Sequence, residues 1–127
     1  MELERFFHVA IKTDDIEAST AFYRDVLGGE VLESGDAGGG SEYVALSVAD
    51  KRIYCFERPP YEINGLVEDL PTGILHFGFV VPDVDSAVAE LESVGTELLM
   101  PPETFGDLKI AFVYGPDGEL LELLEEL

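Results

Sequence analysis

Apolar residues along this chain alternate between two spacings, and they do so twice in the same order. Residues 4–12, "ERFFHVAIK", put apolar side chains at every second position, the period of a strand with two unlike faces. "DDIEASTAFYRDVLGG" (14–29) changes to a helical spacing. There Ile16, Phe22, Tyr23 and Val26 form a broad stripe, Asp14 or Asp15 can accept from the first free amides, and Gly28-Gly29 ends the run. Three strand-like segments follow: "EVLES" (30–34), "EYVALSV" (42–48) and "RIYCFE" (52–57). The glycine-rich "GDAGGG" separates the first two, and "ADK" predicts a tight turn between the last two.

The second half repeats this plan. "GILHFGFVV" (73–81) predicts a strand and "DVDSAVAELESVG" (83–95) a capped helix stopped by glycine. "TELLM" (96–100), "LKIAFVY" (108–114) and "ELLELLE" (119–125) predict three more strands. The last is a conflict of signals, because leucine and glutamate are both good helix formers. The turn "GPDG" after "IAFVY", together with the repeat, decides for a strand. The expected organisation is a single α+β domain over residues 1–127. It holds module one at 4–57, a linker at 58–71 and module two at 72–127, each module a βαβββ unit. The linker, "RPPYEINGLVEDLP", is long for a compact domain and suits a lid or an exchange arm.

The chain has two histidines, and both fall at the same place in the two repeats. His8 opens "HVAIKTDDIEAS" and His76 opens "HFGFVVPDVDSA", 68 positions apart, and an acid lies seven positions on in each, Asp15 and Asp83. Along the strands, the next residue on the histidine face is small both times, Ala10 and Gly78. The opposite faces are bulky, with Phe7, Val9 and Ile11 in one strand and Phe77, Phe79 and Val81 in the other. Bulky faces pack on helices, and the histidine faces leave room. Taken singly, each histidine fits a core position; symmetric placement points to a shared task.

A carboxylate completes the set. Glu122 stands alone between Leu120-Leu121 and Leu123-Leu124, where an ionised group is costly to bury unless paired or bound to a metal. His8, His76 and Glu122 make a two-histidine, one-carboxylate set suited to a first-row divalent ion such as nickel, zinc, manganese or iron(II), with positions left open for substrate or water. The repeat offset carries Glu122 onto Tyr54, which would face the same centre. A phenol keeps its proton to about pH 10, so Tyr54 is expected to line the pocket or donate a hydrogen bond rather than ligate.

Charge bears on setting more than on chemistry. Twenty-seven acidic residues against seven basic ones give a formal net charge of −20, spread over both halves. Such a surface repels nucleic acid and anionic membranes, and it repels itself unless salt screens it. No apolar run is long enough to span a bilayer, and "MELERFF" lacks the basic and apolar regions of a secretory leader. The expected setting is the cytoplasm of a salt-accumulating halophile. The single cysteine, Cys55, lies between Tyr54 and Phe56 and reads as a buried, inert thiol.

The stretches "FFHVAIKTDDIEASTAFYRDVLGGE", "LHFGFVVPDVDSAVAELESVG" and "VYGPDGELLELLE" resemble the vicinal oxygen chelate superfamily, the glyoxalase I, bleomycin-resistance and extradiol-dioxygenase group. The resemblance covers nearly the whole chain. It implies paired βαβββ modules whose mixed sheet curls around a metal-site cavity, with ligands at His8, His76 and Glu122 and the family's additional ligand falling on or near Tyr54. It also implies a small substrate bound through neighbouring oxygens, and a homodimer. Glu122 and Tyr54 are then the candidate catalytic residues, Glu122 moving protons, with Phe56, Phe112 and Tyr114 as further wall. The leading expectation is a glyoxalase-like (lactoylglutathione lyase-like) isomerase or lyase acting on a metal-chelating carbonyl compound. An iron(II) dioxygenase of the extradiol type is the second, although no further histidine remains for it. A metal-free ligand-binding protein of the bleomycin-resistance type is the third, and the intact ligand set counts against it.

Overall fold

The computed structural model describes all residues, 1–127. Eight strands, three α-helices and one π-helical segment occur in the order β1 (Arg5–Lys12), α1 (Ile16–Ala21), π (Phe22–Val26), β2 (Glu30–Asp36), β3 (Glu42–Val48), β4 (Lys51–Phe56), α2 (Pro60–Ile63), β5 (Gly73–Val80), α3 (Val84–Ser93), β6 (Leu98–Phe105), β7 (Leu108–Tyr114) and β8 (Leu120–Glu126). The strands belong to one mixed sheet in the order β2-β3-β4-β1-β5-β8-β7-β6. The terminal "ELLELLE" is a strand, with tertiary pairing overriding its helical propensity.

Two compact units divide the chain, Met1–Phe7 with His76–Leu127 and, separately, His8–Leu75. The boundary falls inside β1, so each unit takes part of that strand.

In the His8–Leu75 unit, β1 runs parallel to β4, while β4–β3 and β3–β2 are antiparallel. Val44, Leu46 and Cys55 form its buried apolar cluster, covered by Ile11, Ile16, Tyr23, Val48 and Ile53. Asp15 caps α1 by accepting from the Ala18 amide at 3.0 Å. The predicted stripe holds only in part. After Ala21 the helix widens, Leu27 N–H donating to the Phe22 carbonyl five residues back, so Ile16 and Tyr23 face the core while Phe22 and Val26 stay exposed. Gly29 ends the run where a methyl would meet the Tyr23 carbonyl oxygen at 2.7 Å.

The 58–71 segment, expected as a lid or exchange arm, is fastened to the body of its unit. It contains the short helix α2, Tyr61 is 1% exposed, and Glu62 is buried against Lys12. The Lys12 ammonium donates to both Glu62 oxygens, at 2.7 and 2.8 Å, and to the Leu70 carbonyl at 2.8 Å.

In the other unit, β5 is parallel to β8, and β8–β7 and β7–β6 are antiparallel. Val81, Val84, Ala87, Val88, Ala111 and Leu123 form its core under α3. Asp83 caps α3 through the Ser86 amide, and Glu125 accepts from the Val84 amide, so two carboxylates meet the positive end of that helix. Of the bulky residues opposite His76, Val81 joins the helix-side core, whereas Phe77 and Phe79 pack with Phe6. β6 runs past the expected 96–100 through Pro101 and Pro102, which an edge strand with register shifts admits because it needs fewer amide donors.

Candidate metal centre

Strand register explains how the chemistry-bearing side chains come to share faces. In the His8–Leu75 unit, Ala10 pairs with Tyr54 and Tyr54 with Ala45, so a ring stands between two methyl-sized neighbours. In the other unit, Gly78 pairs with Glu122, which pairs with Phe112. The two rows correspond: the small residue two positions after each histidine lies beside the residue on the fourth strand of its module.

His76 and Glu122 are buried, at 2% and 6% exposure, and the His76 Nε2 lies 3.1 Å from Glu122 Oε1. That separation is what two neighbouring ligands of one first-row ion have, roughly 3 Å for bonds of about 2.1 Å. The Phe112 ring meets the His76 imidazole edge-on, at 4.9 Å between centroids. His8 is equally buried, and the Tyr54 ring meets it in the same manner, also at 4.9 Å. Two neutral imidazoles and a carboxylate, all sheltered from water, are the donor set that nickel, zinc, manganese or iron(II) takes. The residues therefore fit a divalent ion.

The acids of the last strand are not interchangeable. Glu122 points into the protein, Glu125 meets the start of α3, and Glu126 pairs with Arg5 at 2.6 Å. Of the expected wall residues, Phe112 and Phe56 are buried and Tyr114 is half-buried. Tyr54 is half-buried against His8 and stacked at 6.0 Å on both Tyr43 and Phe56. Tyr43 is the residue that inspection of the chain passed over. Its signal was the alternation of "EYVALSV", which puts Tyr43 and Ala45 on the face that carries Tyr54. The Tyr43 hydroxyl donates to Glu33 at 3.1 Å, and burial with that acid beside it pushes its pKa up to about 12. Burial likewise pushes the Cys55 thiol up to about 11, consistent with an inert sulfur.

The model of the Glyoxalase/Bleomycin resistance protein/Dioxygenase superfamily matches residues 5–123, and the chain belongs to that superfamily. The uncharacterized protein YaeR of Escherichia coli (strain K12) is 30% identical, over 98% of each chain. Lactoylglutathione lyase GLX1 of Arabidopsis thaliana is 27% identical over 95% of this chain, which spans 44% of that protein. Among solved structures, methylmalonyl-CoA epimerase from Mycobacterium tuberculosis superposes with a TM-score of 0.79 over 98% of this chain and 89% of its own, at 24% identity, a likeness of fold.

Proposed function

We propose that His8, His76 and Glu122 hold one divalent ion, and that the protein is a glyoxalase-like isomerase or lyase acting on a small carbonyl compound that chelates through neighbouring oxygens. The observation that carries this reading is the buried His76–Glu122 pair at 3.1 Å, with His8 equally buried at the matching place in the other repeat. Superfamily membership and the likeness to a lactoylglutathione lyase support it. An ion held there would act as a Lewis acid on the substrate oxygens. In this reading the imidazoles of His8 and His76 are held by their strands and by edge-on rings, so they need no reorganisation when substrate arrives. Glu122, excluded from bulk water, takes the proton from the carbon beside the carbonyl and returns it to the neighbouring one. Tyr54 borders the reacting group and donates a hydrogen bond to it. We also read the protein as a homodimer, and its acidity as adaptation to a salt-rich cytoplasm.

Metal content after purification without chelator tests the reading. Wild-type protein is expected to carry about one ion per chain, or to regain it from nickel, zinc, manganese or iron(II) after stripping. His76→Ala and Glu122→Gln are expected to lose it, together with turnover of the methylglyoxal–glutathione adduct. Below roughly a tenth of an ion per chain, unrestored by any of these metals, the reading fails in favour of a metal-free binding protein.

A further inference from the structure

The face that carries His8 holds a group of nearly parallel aromatic rings. Three rows cross the strands of the His8–Leu75 unit: Ser47, Arg52 and His8; then Ala45, Tyr54 and Ala10; then Tyr43 beside Phe56. Ala10 and Ala45 are both fully buried, and a larger side chain at either position would lift the neighbouring rings away from the sheet. Tyr43 is held on its other side too. It sits across from Gly35, where a methyl would press on its ring at 3.3 Å, and its hydroxyl is tied to Glu33.

The result is a set of rings lying nearly in one orientation. Tyr43 and Tyr54 are inclined by 11°, Tyr54 and Phe56 by 21°, and Tyr43 and Phe56 by 30°. Rings that enclose a cation stand as walls at steep angles, whereas parallel rings can be extended by a further flat group stacked on them. The second repeat lacks such rings. By register its corresponding residues are Ile110, Glu122 and Leu124, which hold no ring and are 2–6% exposed. Tyr43 and Tyr54 remain half-open, and Tyr54 touches the imidazole of a proposed ligand.

We propose that Tyr43 and Tyr54 determine specificity by stacking on a planar, conjugated part of the substrate, so that the preferred compounds carry an aromatic or similarly flat group next to their chelating oxygens. This rests on the metal reading above, since His8 fixes where those oxygens bind.

Calorimetric titration with three 2-hydroxy acids that share one chelating end tests it: mandelate, its saturated-ring counterpart hexahydromandelate, and lactate. Each is measured on Mn²⁺-loaded and on metal-free protein. Loaded wild type is expected to bind mandelate roughly 3- to 10-fold more tightly than hexahydromandelate, the range of an aromatic pair beyond its buried area. Tyr54→Phe keeps that preference; Tyr54→Leu and Tyr43→Leu each reduce it towards equality. Equal affinities for mandelate and hexahydromandelate in wild type, a preference surviving both leucine variants, or no binding of any acid in either state overturns the proposal. Binding of lactate that is indifferent to Mn²⁺ counts against the metal reading instead, and the ratio of the two ringed acids still judges the stacking.

Discussion

A single phenol shows how neighbours reset a side chain. Tyr43 is shifted upward because burial disfavours its charged form and Glu33 adds a negative charge beside it. The folded state therefore keeps the proton longer than the unfolded one. Tyr43's contribution to stability is whole below pH 10 and is lost as pH rises towards 12. In a spectrophotometric titration one phenol should ionise near pH 12, above the usual tyrosine range, and Tyr43→Phe should remove that step. The same variant should lose less stability between pH 10 and 12 than wild type does. His8, His76 and Glu122 were legible as residues because polar groups in apolar strands need partners. Tyr54 was reached through the repeat offset. Tyr43 was not, since a tyrosine in a strand looks like any other β-former until its neighbours across the ladder prove to be glycine and alanine.

At the scale of elements, the 58–71 segment is held by a contact that the sequence did not reveal. Its length suggested a lid or an exchange arm, and one ammonium binds it at Glu62 and at the Leu70 carbonyl. Both side chains of this ion pair are about nine-tenths buried, so removing one leaves the other charged and unpaired. Lys12→Met is expected to lower unfolding free energy by about 3–5 kcal/mol, and adding Glu62→Leu should restore most of the loss. Urea denaturation of the two variants measures both effects; equal stability of single variant and wild type would mean that the pair does not fasten the segment. Nothing in the local pattern announced this contact, because Lys12 and Glu62 are fifty residues apart. By contrast both helix starts were readable, Asp15 and Asp83 each accepting from the amide three residues on.

Over the whole molecule, charge dominates. Arg5, Lys12, Arg24 and Lys109 are each engaged by an acid, and seven cations cannot offset twenty-seven acids however they are arranged. Exposed like charges repel over about 30 Å in roughly 10 mM salt and over about 3 Å in molar salt. The melting temperature should accordingly rise by several degrees between dilute buffer and molar KCl, followed by circular dichroism. A flat or falling trend would remove the salt-adaptation reading. No helix is long and apolar enough to cross a membrane.

By itself, the sequence determined the two βαβββ modules, the strand that closes the second one, and the three donors worth testing. These follow from short-range rules: period, caps, turns and the cost of a lone charge among leucines. Tertiary structure decided which rings stack beside His8, how the π-helical turn divides an apolar stripe, and that a proline-rich linker is held by a buried ion pair. The reason is physical. Such features depend on what stands across a ladder or fifty residues away, and no local spacing encodes the size and charge of that neighbour.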